Sequence, residues 1–497
     1  MKSNRLTGLA CVLLPAFLCA QSAVQLKVDT GQPVREIDPK IYGQFLEHIY
    51  HSVNGGVWGE VVWNRSFEER LSPDDWRVHD GLLLSPANAS PANAPKESRF
   101  LIGGEAWRDY DFWVDVHRTS DAGSVVIAAR VARANGIRLE LDGKQAQLVR
   151  YLTNRQTRTT DKAMLGTAEL ALDSKRWYRV HFRCDGRQIQ VSIDDKPLFN
   201  VKVEAGTDNG QASVAVNGAT AEFRGFRAIE TVNHAVLFDQ LPSPARHWKA
   251  MGPGDLSLDA TQPANSSLSL KIQGAAGSGV GQDHFAMKKG DVLRGSIWMR
   301  GDVAGGVSIR LMNSGFVLAQ KSLPPPGPRW IELPLEFNPV ENASDASLEI
   351  VTLGNATLWI DQLSLIADSS VAAGGFRPDL LKAAADLHPS IVRWPGGSFI
   401  ANYHWKDTIG PQSKRVGKIG WDELDPLSFG IDEFISFCRR VGAEPLVVIN
   451  TGARNDVKDR QQYIQDARDL VEYCNAPATS KWGKVRASNG HPDPYNV

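Results

Sequence analysis

The sequence predicts a multidomain protein in which two all-β blocks separate a short N-terminal strand region from a C-terminal region of alternating strands and helices. A length of 497 residues exceeds what one hydrophobic core usually serves. From about residue 71 to residue 367, short runs alternate apolar and polar side chains, with turns such as Asp142-Gly143 and Asp185-Gly186 between them. This period of two predicts β-sandwiches. After Ala373-Gly-Gly375 the period becomes helical, with apolar strands between the helices, which predicts parallel βα units.

The N-terminus carries the features of a secretory signal in residues 1–20. Lys2 and Arg5 precede an apolar run from Leu6 to Leu18, and small residues lie near Ala20. The run is too short for a stable membrane anchor. We therefore expect a secreted or periplasmic protein, with residues 21–70 holding an N-terminal strand and a second strand over Ile37–Phe45.

The two β blocks are predicted at residues 71–230 and 231–367. The section from Trp177 to Asp194 resembles concanavalin-like (laminin-G-type) jelly rolls. The strand order that ends in Leu358–Leu365 resembles sandwich carbohydrate-binding modules of families 4 and 9. That resemblance alone implies glycan binding by the second block. Three tryptophans in its strand patterns are expected in the core: Trp298, Trp330 and Trp359.

The region from residue 371 to residue 497 reads as two further strands with their helices. We predict helices over Arg377–Leu387, Phe429–Val441 and Lys458–Tyr473, and strands over Ile391–Trp394 and Glu444–Asn450. Gly442 is a plausible stop for the second helix.

Composition excludes several classes of protein. The net charge is −1, with acids and bases mixed along the chain, so a nucleic-acid partner is not expected. No run beyond the signal is long and apolar enough to span a membrane. Cys184, Cys438 and Cys474 are widely spaced outside the signal, which favours buried free thiols over disulfides. No metal-ligand spacing is present, and we expect neither metal nor cofactor.

The most informative motif is the turn from Ile391 to Phe399, followed by Tyr403-His-Trp-Lys-Asp407. Pro395-Gly396-Gly397 follows the end of a buried strand, and the two glycines let backbone approach a neighbouring group closely. Arginine, tryptophans, histidine, lysine and aspartate surround the turn. Flat apolar faces and charged groups together are typical of a sugar site.

These residues resemble the glycoside hydrolase family 51 α-L-arabinofuranosidases. The resemblance covers roughly residues 30–70 and 371–497 and neither β block. The matching segments are Ile41-Tyr-Gly-Gln-Phe-Leu-Glu-His48, Gly55-Gly-Val-Trp58, Asn64-Arg-Ser-Phe-Glu68, Arg393-Trp-Pro-Gly-Gly-Ser-Phe399, Tyr403-His-Trp-Lys-Asp-Thr-Ile-Gly-Pro411, Phe429-Gly430, Asp432-Glu-Phe434, Gly442-Ala-Glu-Pro445, Asn450 and Val471-Glu-Tyr-Cys-Asn475.

The resemblance implies a (β/α)8 TIM barrel, here incomplete with about three strands, that carries the two sandwiches as inserts. Sites in such barrels lie at the C-terminal ends of the strands. Glu47, Arg393 to Ser398, and Asn450 would end strands one, two and three. The resemblance implies five substrate-binding residues: Glu47, Arg393, Ser398, Trp421 and Asn450. Glu47 would accept hydrogen bonds from arabinose hydroxyls, and Arg393 would keep a nucleophilic carboxylate ionised.

Structural roles remain open for several of these residues. Arg393 could form a structural salt bridge, Trp421 could belong to the core, and Asn450 could cap a strand end. His404, Trp405, Lys406 and Asp407 could shape the rim of the site. His48 and Trp58 are expected to be structural.

Both catalytic carboxylates of a retaining glycosidase are missing from the sequence. That mechanism needs two carboxylates about 5–5.5 Å apart. The resemblance places the acid/base glutamate after an asparagine, and the chain contains no Asn-Glu dipeptide. We therefore expect a fragment, with both glutamates beyond Val497, that is catalytically silent by itself.

The sequence thus predicts part of a retaining α-L-arabinofuranosidase that removes terminal arabinofuranosyl residues from arabinoxylan, arabinan or their oligosaccharides. One alternative is another glycosidase of the same clan. A second is a non-catalytic carbohydrate-binding protein built from the two sandwiches. The expected partner is an arabinose-containing glycan, with no nucleic acid and no membrane, and the oligomeric state is left open.

Overall fold

The structure is a computed structural model that describes residues 26–27, 31, 36–49, 51–87, 97–132, 135–154, 157, 159–420, 424–452 and 460–497. The predicted signal (residues 1–20) and Trp421 lie outside the described residues. Among the helices that are described, none is long and apolar enough to cross a membrane.

A parallel three-stranded sheet leads into the glycine turn and consists of Gln44–Phe45, Ile391–Trp394 and Glu444–Val447. Ile391–Trp394 lies in the middle and pairs in parallel with both neighbours. The prediction of parallel βα units is confirmed for these three strands. The predicted strand over Ile37–Phe45 is wrong in its first half, because Asp38 caps a 3-10 turn over Pro39–Tyr42 and accepts a hydrogen bond from Lys40 N. Proline at the first position of that turn favours the helical start.

Five α-helices are described: Asp368–Ala372, Pro378–Asp386, Ile431–Val441, Arg460–Asn475 and Lys481–Ser488. Ile431–Val441 begins where the Glu433 carboxylate accepts the Gly430 N–H, and it ends at Gly442 with φ +77°. That left-handed residue confirms the predicted stop. The sequence analysis missed Lys481–Ser488, which begins at a Ser480 side-chain cap on Gly483 N. Two short 3-10 helices follow the glycine turn, at Phe399–Asn402 and Trp405–Thr408.

One long antiparallel sheet runs through both β blocks and has thirteen strands among the described residues. Its strands in spatial order are Lys196–Lys202, Gln188–Ile193, Tyr178–Asp185, Tyr110–Arg118, Ala221–Glu230, Leu82–Leu84, Arg77–His79, Asp255–Asp259, Ser269–Gly274, Ala356–Ala367, Leu293–Val303 and Gly327–Phe337, with Val236–Asp239 paired to Ala221–Glu230.

Two further antiparallel sheets complete the sandwiches. The six-stranded sheet belongs to the first block and the five-stranded sheet to the second. In spatial order the first holds Ser98–Ile102, Gln211–Asn217, Ser124–Ala132, Asn135–Leu141, Gln145–Thr153 and Thr160–Glu169, and the second holds Lys249–Met251, Gly279–Met287, Ala343–Thr352, Val307–Asn313 and Phe316–Leu323. Two antiparallel strands of two residues each, Lys418–Ile419 and Leu424–Asp425, form a separate small sheet.

The two sandwiches share one continuous core, which the sequence did not reveal. Val78 of the first block pairs with Leu256 of the second, so the long sheet crosses the boundary between them. One buried apolar cluster accordingly contains Phe112 and Val214 together with Ile309 and Leu348. The parallel sheet and its helices bury a separate cluster around Trp394, Phe434 and Tyr473.

The first and last residues of the β-rich region lie side by side where it meets the parallel sheet. Glu60 bridges Ile366, and Trp58 bridges Phe376. The Glu60 carboxylate accepts the Leu365 N–H at 2.9 Å. Because the two ends of the β-rich region are adjacent, this long segment fits between the parallel strands without displacing them.

The expected core positions of Trp298, Trp330 and Trp359 are wrong, because all three side chains are only partly buried. Ile297, Met299, Leu358 and Ile360 are fully buried. Since side chains alternate across a strand, Trp298 and Trp359 point to the outer face of the long sheet. Cys184, Cys438 and Cys474 are free and buried, which confirms the prediction for the cysteines.

Candidate functional site

A glutamate and an arginine meet at the C-terminal edge of the parallel sheet. Phe45 pairs with Arg393, and Leu46 N donates to Arg393 O at 2.9 Å, so Glu47 lies beside that arginine. Arg393 Nη1 is 3.3 Å from Glu47 Oε1. The Glu47 side chain is 19% exposed and that of Arg393 is 40% exposed. An ion pair this accessible adds about 0–1 kcal/mol to stability, so its groups remain available to a ligand.

The two glycines of the turn make room for this pair. Gly396 and Gly397 have φ of +66° and +55°, a region that favours glycine. A Cβ at Gly396 would lie 2.4 Å from Arg393 Nη1 and 2.9 Å from Glu47 Oε1. A Cβ at Gly397 would lie 2.9 Å from Glu47 Oε2. The predicted close backbone approach therefore exists, and the group approached is the Glu47–Arg393 pair.

Ser398 continues the same turn. It is half-buried, and its carbonyl accepts the Ala401 N–H at 3.2 Å as the Phe399–Asn402 turn begins.

A buried hydrogen-bond chain fixes the residue after Glu47. The Trp394 indole N–H donates to His48 Nε2 at 2.9 Å, and His48 Nδ1 contacts the Asp425 carboxylate. An indole can only donate, so His48 carries its proton on Nδ1 and donates it to Asp425. The His48 ring also stacks on Phe399 at 4.5 Å. His48 is thus structural, as expected.

Asp425 is the buried end of this chain. Burial raises the pKa of Asp425, but the contact with His48 and the hydrogen bond from Leu427 N bring its pKa below the ordinary value. The carboxylate is therefore ionised and holds His48 in one orientation. Sequence reasoning missed Asp425, because 377 residues separate it from His48.

Asn450 anchors the end of the third strand. Its Nδ2 donates to the carbonyls of Ala401 and Tyr403 at 3.2 Å each, and its Oδ1 accepts the Gly452 N–H at 2.9 Å. Of the two readings left open by the sequence, this geometry favours the strand-end role. The side chain ties the third strand to the loop that follows the glycine turn.

Trp405 and Lys406, two of the residues expected at the rim, contact the Arg460–Asn475 helix. Trp405 is buried and its indole N–H donates to Asp466 O at 2.9 Å. Lys406 Nζ is 2.7 Å from Asp466 Oδ1 and also contacts Asp469. These contacts fasten the Arg460–Asn475 helix to the loop.

The described residues contain no cluster of histidine, cysteine or acidic side chains arranged to hold a metal ion.

Comparison with known families identifies two parts of the chain. Residues 383–497 match the α-L-arabinofuranosidase 1 domain. Residues 91–235 match the C-terminal lectin domain of galactocerebrosidase. The second match covers most of the first β block (residues 71–230) and ends just beyond it, at residue 235.

Curated relatives match over longer stretches. An extracellular exo-α-L-arabinofuranosidase from Streptomyces chartreusis is 28% identical over 286 residues, covering 51% of this chain and 34% of the relative. The α-L-arabinofuranosidase 1 of Arabidopsis thaliana is 25% identical over 357 residues, covering 63% and 52%. The chain thus spans about a third to a half of these relatives.

Among solved structures, the chain is similar to the family 51 α-L-arabinofuranosidase of Thermotoga petrophila RKU-1. The identity is 40%, with 25% of this chain and 24% of the other covered and a TM-score of 0.22. The match over residues 383–497 and the curated relatives confirm the resemblance to α-L-arabinofuranosidases noted in the sequence.

Proposed function

We propose that residues 36–70 and 371–497 form the sugar-recognition half of a retaining α-L-arabinofuranosidase that acts on arabinoxylan, arabinan or their oligosaccharides. The accessible Glu47–Arg393 pair at the end of the parallel strands carries this proposal. The three strands are the first part of a (β/α)8 barrel, and residues 71–230 and 231–367 are two inserts in it. The protein acts outside the cytoplasm, after removal of residues 1–20.

Glu47 accepts hydrogen bonds from arabinofuranose hydroxyls through its two carboxylate oxygens. Hydrogen bonds to a charged acceptor contribute about 1.5–3 kcal/mol each. Arg393 pairs with Glu47 and offers its remaining N–H donors to the sugar or to a nucleophilic carboxylate. The backbone of Gly396 to Ser398 forms the floor beneath the ring.

Catalysis requires two carboxylates that this half of the site does not supply. Retaining hydrolysis uses an acid/base and a nucleophile about 5–5.5 Å apart. Glu47 is engaged in recognition, and the chain contains no Asn-Glu dipeptide. We therefore assign residues 1–497 binding of arabinose and no turnover by themselves.

Calorimetric titration of the chain with L-arabinose tests the binding role. Glu47→Gln should weaken binding by at least about tenfold, because the neutral amide gives up a charged acceptor. Glu444→Gln is the matched control, since it breaks the exposed Lys40–Glu444 pair (2.9 Å) on the same sheet at the opposite end of the strands. Equal affinity in Glu47→Gln and the unchanged chain would overturn the recognition role.

Release of nitrophenol from 4-nitrophenyl α-L-arabinofuranoside tests the catalytic assignment. We expect no turnover above the buffer rate. If the chain released nitrophenol and Glu47→Gln abolished that release, the proposal that the chain lacks the catalytic carboxylates would be wrong.

A second candidate is a non-catalytic carbohydrate-binding role for the first β block. The match of residues 91–235 to a lectin domain favours it. In that case, retention of the chain on insoluble polysaccharide should survive Glu47→Gln. Loss of retention in that variant would favour the arabinose site as the main point of contact.

A further inference from the structure

The outer face of the long sheet in the second block carries a row of alternating cations and indoles. Lys271, Trp359, Arg300 and Trp330 lie on four neighbouring strands, with Lys271 and Arg300 directly opposite Trp359. The Arg300 guanidinium lies 4.1 Å from the centre of the Trp359 ring and 5.3 Å from that of Trp330. Lys271 Nζ lies 5.2 Å from the Trp359 ring. Cation–π contacts hold Arg300 between two aromatic side chains.

Arg300 has no carboxylate within ion-pair distance in the part of the chain that the structure describes. Its Nε atom is buried and has no hydrogen-bond partner there. Arg224 over Trp177 (4.2 Å) in the first block shows the contrast, because its Nε is 3.6 Å from Asp115 Oδ2. A half-buried guanidinium without an anion has lost hydration and gained no acceptor in return.

One acid close to this row, Asp259, is already occupied. Asp259 accepts the Trp359 indole N–H at 2.7 Å and the Thr261 hydroxyl at 2.5 Å. Burial raises the pKa of Asp259, but these hydrogen bonds and the nearby Arg300 bring its pKa below the ordinary value. The carboxylate is therefore ionised and committed to the loop that it caps.

A groove of about 640 Å³ opens beside Arg300, and its wall includes Trp359, Pro328, Thr357 and Asp302. The indole edge and the proline ring provide apolar surface, whereas Thr357 and the exposed Asp302 provide hydroxyl and carboxylate groups. A ligand that fits this combination bears an anion for Arg300, an apolar ring face, and hydroxyls that can donate to Asp302.

We propose that this groove binds a uronic acid residue of an acidic polysaccharide, with the sugar carboxylate on Arg300 and its hydroxyls on Asp302 and Thr357. Carboxylate recognition suits the planar guanidinium, which donates two parallel hydrogen bonds. The site is separate from the Glu47–Arg393 pair, and it stands whether or not the chain recognises arabinose.

The test is titration of the full chain with a xylo-oligosaccharide that bears one glucuronic acid, and with the same oligosaccharide after carboxyl reduction. We expect the acidic form to bind at least tenfold more tightly than the reduced form, with affinity falling as salt rises. Arg300→Gln should remove that preference. Arg224→Gln, the matched arginine on an indole, should leave it unchanged.

Arg300→Lys separates recognition from folding, because lysine keeps a cation between the two rings but loses the two-pronged donor. An intermediate affinity at an unchanged melting temperature supports the site. Equal binding of acidic and reduced oligosaccharides overturns the proposal, as does an equal loss in Arg224→Gln. Competition by inorganic phosphate at the same affinity would also overturn it, since the groove would then be a general anion site.

Discussion

Gly396→Ala separates the two roles of the turn, which are backbone geometry and space for the Glu47–Arg393 pair. At φ +66° an alanine costs roughly 1–2 kcal/mol of unfolding free energy. Its Cβ would also lie 2.4 Å from Arg393 Nη1. The guanidinium is the end of a flexible side chain, so it moves away and the ion pair is lost. That loss adds only about 0–1 kcal/mol to the destabilisation.

Gly442→Ala provides the matched control for this change. Gly442 has φ +77° and ends the Ile431–Val441 helix, and a Cβ there meets no atom within 4 Å. The backbone cost is therefore similar, again roughly 1–2 kcal/mol, without any contact with the site.

Urea unfolding and calorimetric titration with L-arabinose measure the two effects separately. We expect both variants to lose similar stability, whereas only Gly396→Ala loses arabinose affinity, by at least about tenfold because the charged acceptor is displaced. Unchanged affinity in Gly396→Ala would refute the argument that the glycine makes room for the binding pair. An equal loss of affinity in Gly442→Ala would refute it too, because stability alone would then explain the result.

Two further predictions concern stability. Burial raises the pKa of Asp361 to about 7, against the hydrogen bonds that it accepts from the backbone of Ala264, Asn265 and Gln362. The folded protein therefore holds this proton more tightly than the unfolded chain, so unfolding free energy should fall as pH rises from about 4 to 7, by up to about 4 kcal/mol, and level off above it. Urea unfolding across that range checks this, and Asp361→Asn should flatten the profile; the same slope in the variant would contradict the assignment. Asn450→Ala should cost about 1–3 kcal/mol, because the carbonyls of Ala401 and Tyr403 lose their donor. Faster amide hydrogen exchange over residues 399–403 should accompany it, and unchanged exchange there would show that Asn450 does not hold the loop.

The position of the β blocks explains how the Glu47–Arg393 pair forms although a long segment of chain separates the two residues. The chain leaves the parallel sheet after Glu47 and returns to it at Ile391, and the two ends of the β-rich region are bridged at Glu60–Ile366 and Trp58–Phe376. Arg65 Nη2 reinforces the seam with a hydrogen bond to Gln362 Oε1 at 3.0 Å. The strands that lead to Glu47 and Arg393 can therefore pair directly, although these residues are 346 positions apart in the chain.

Local signals in the sequence were enough for the parts of the fold that depend on neighbouring residues. Gly396 and Gly397 indicated a turn with close backbone approach, and Gly442 indicated the end of a helix. Alternating apolar residues indicated the strands of both sandwiches, since the period of two is set by the strand itself. The same alternation did not say which face of a strand is inside, so Trp298 and Trp359 were assigned to the wrong side of the sheet.

The sequence by itself determined the resemblance to α-L-arabinofuranosidases, the β-rich blocks and the residue types around the glycine turn, because each rests on a short run of adjacent residues. Only the tertiary structure decided that Glu47 pairs with Arg393, that Asp425 orients His48, and that the two sandwiches share one sheet through Val78 and Leu256. The physical reason is that these contacts join residues separated by more than a hundred positions. Strand pairing and burial place such residues together, and neither is encoded in the spacing of any single motif.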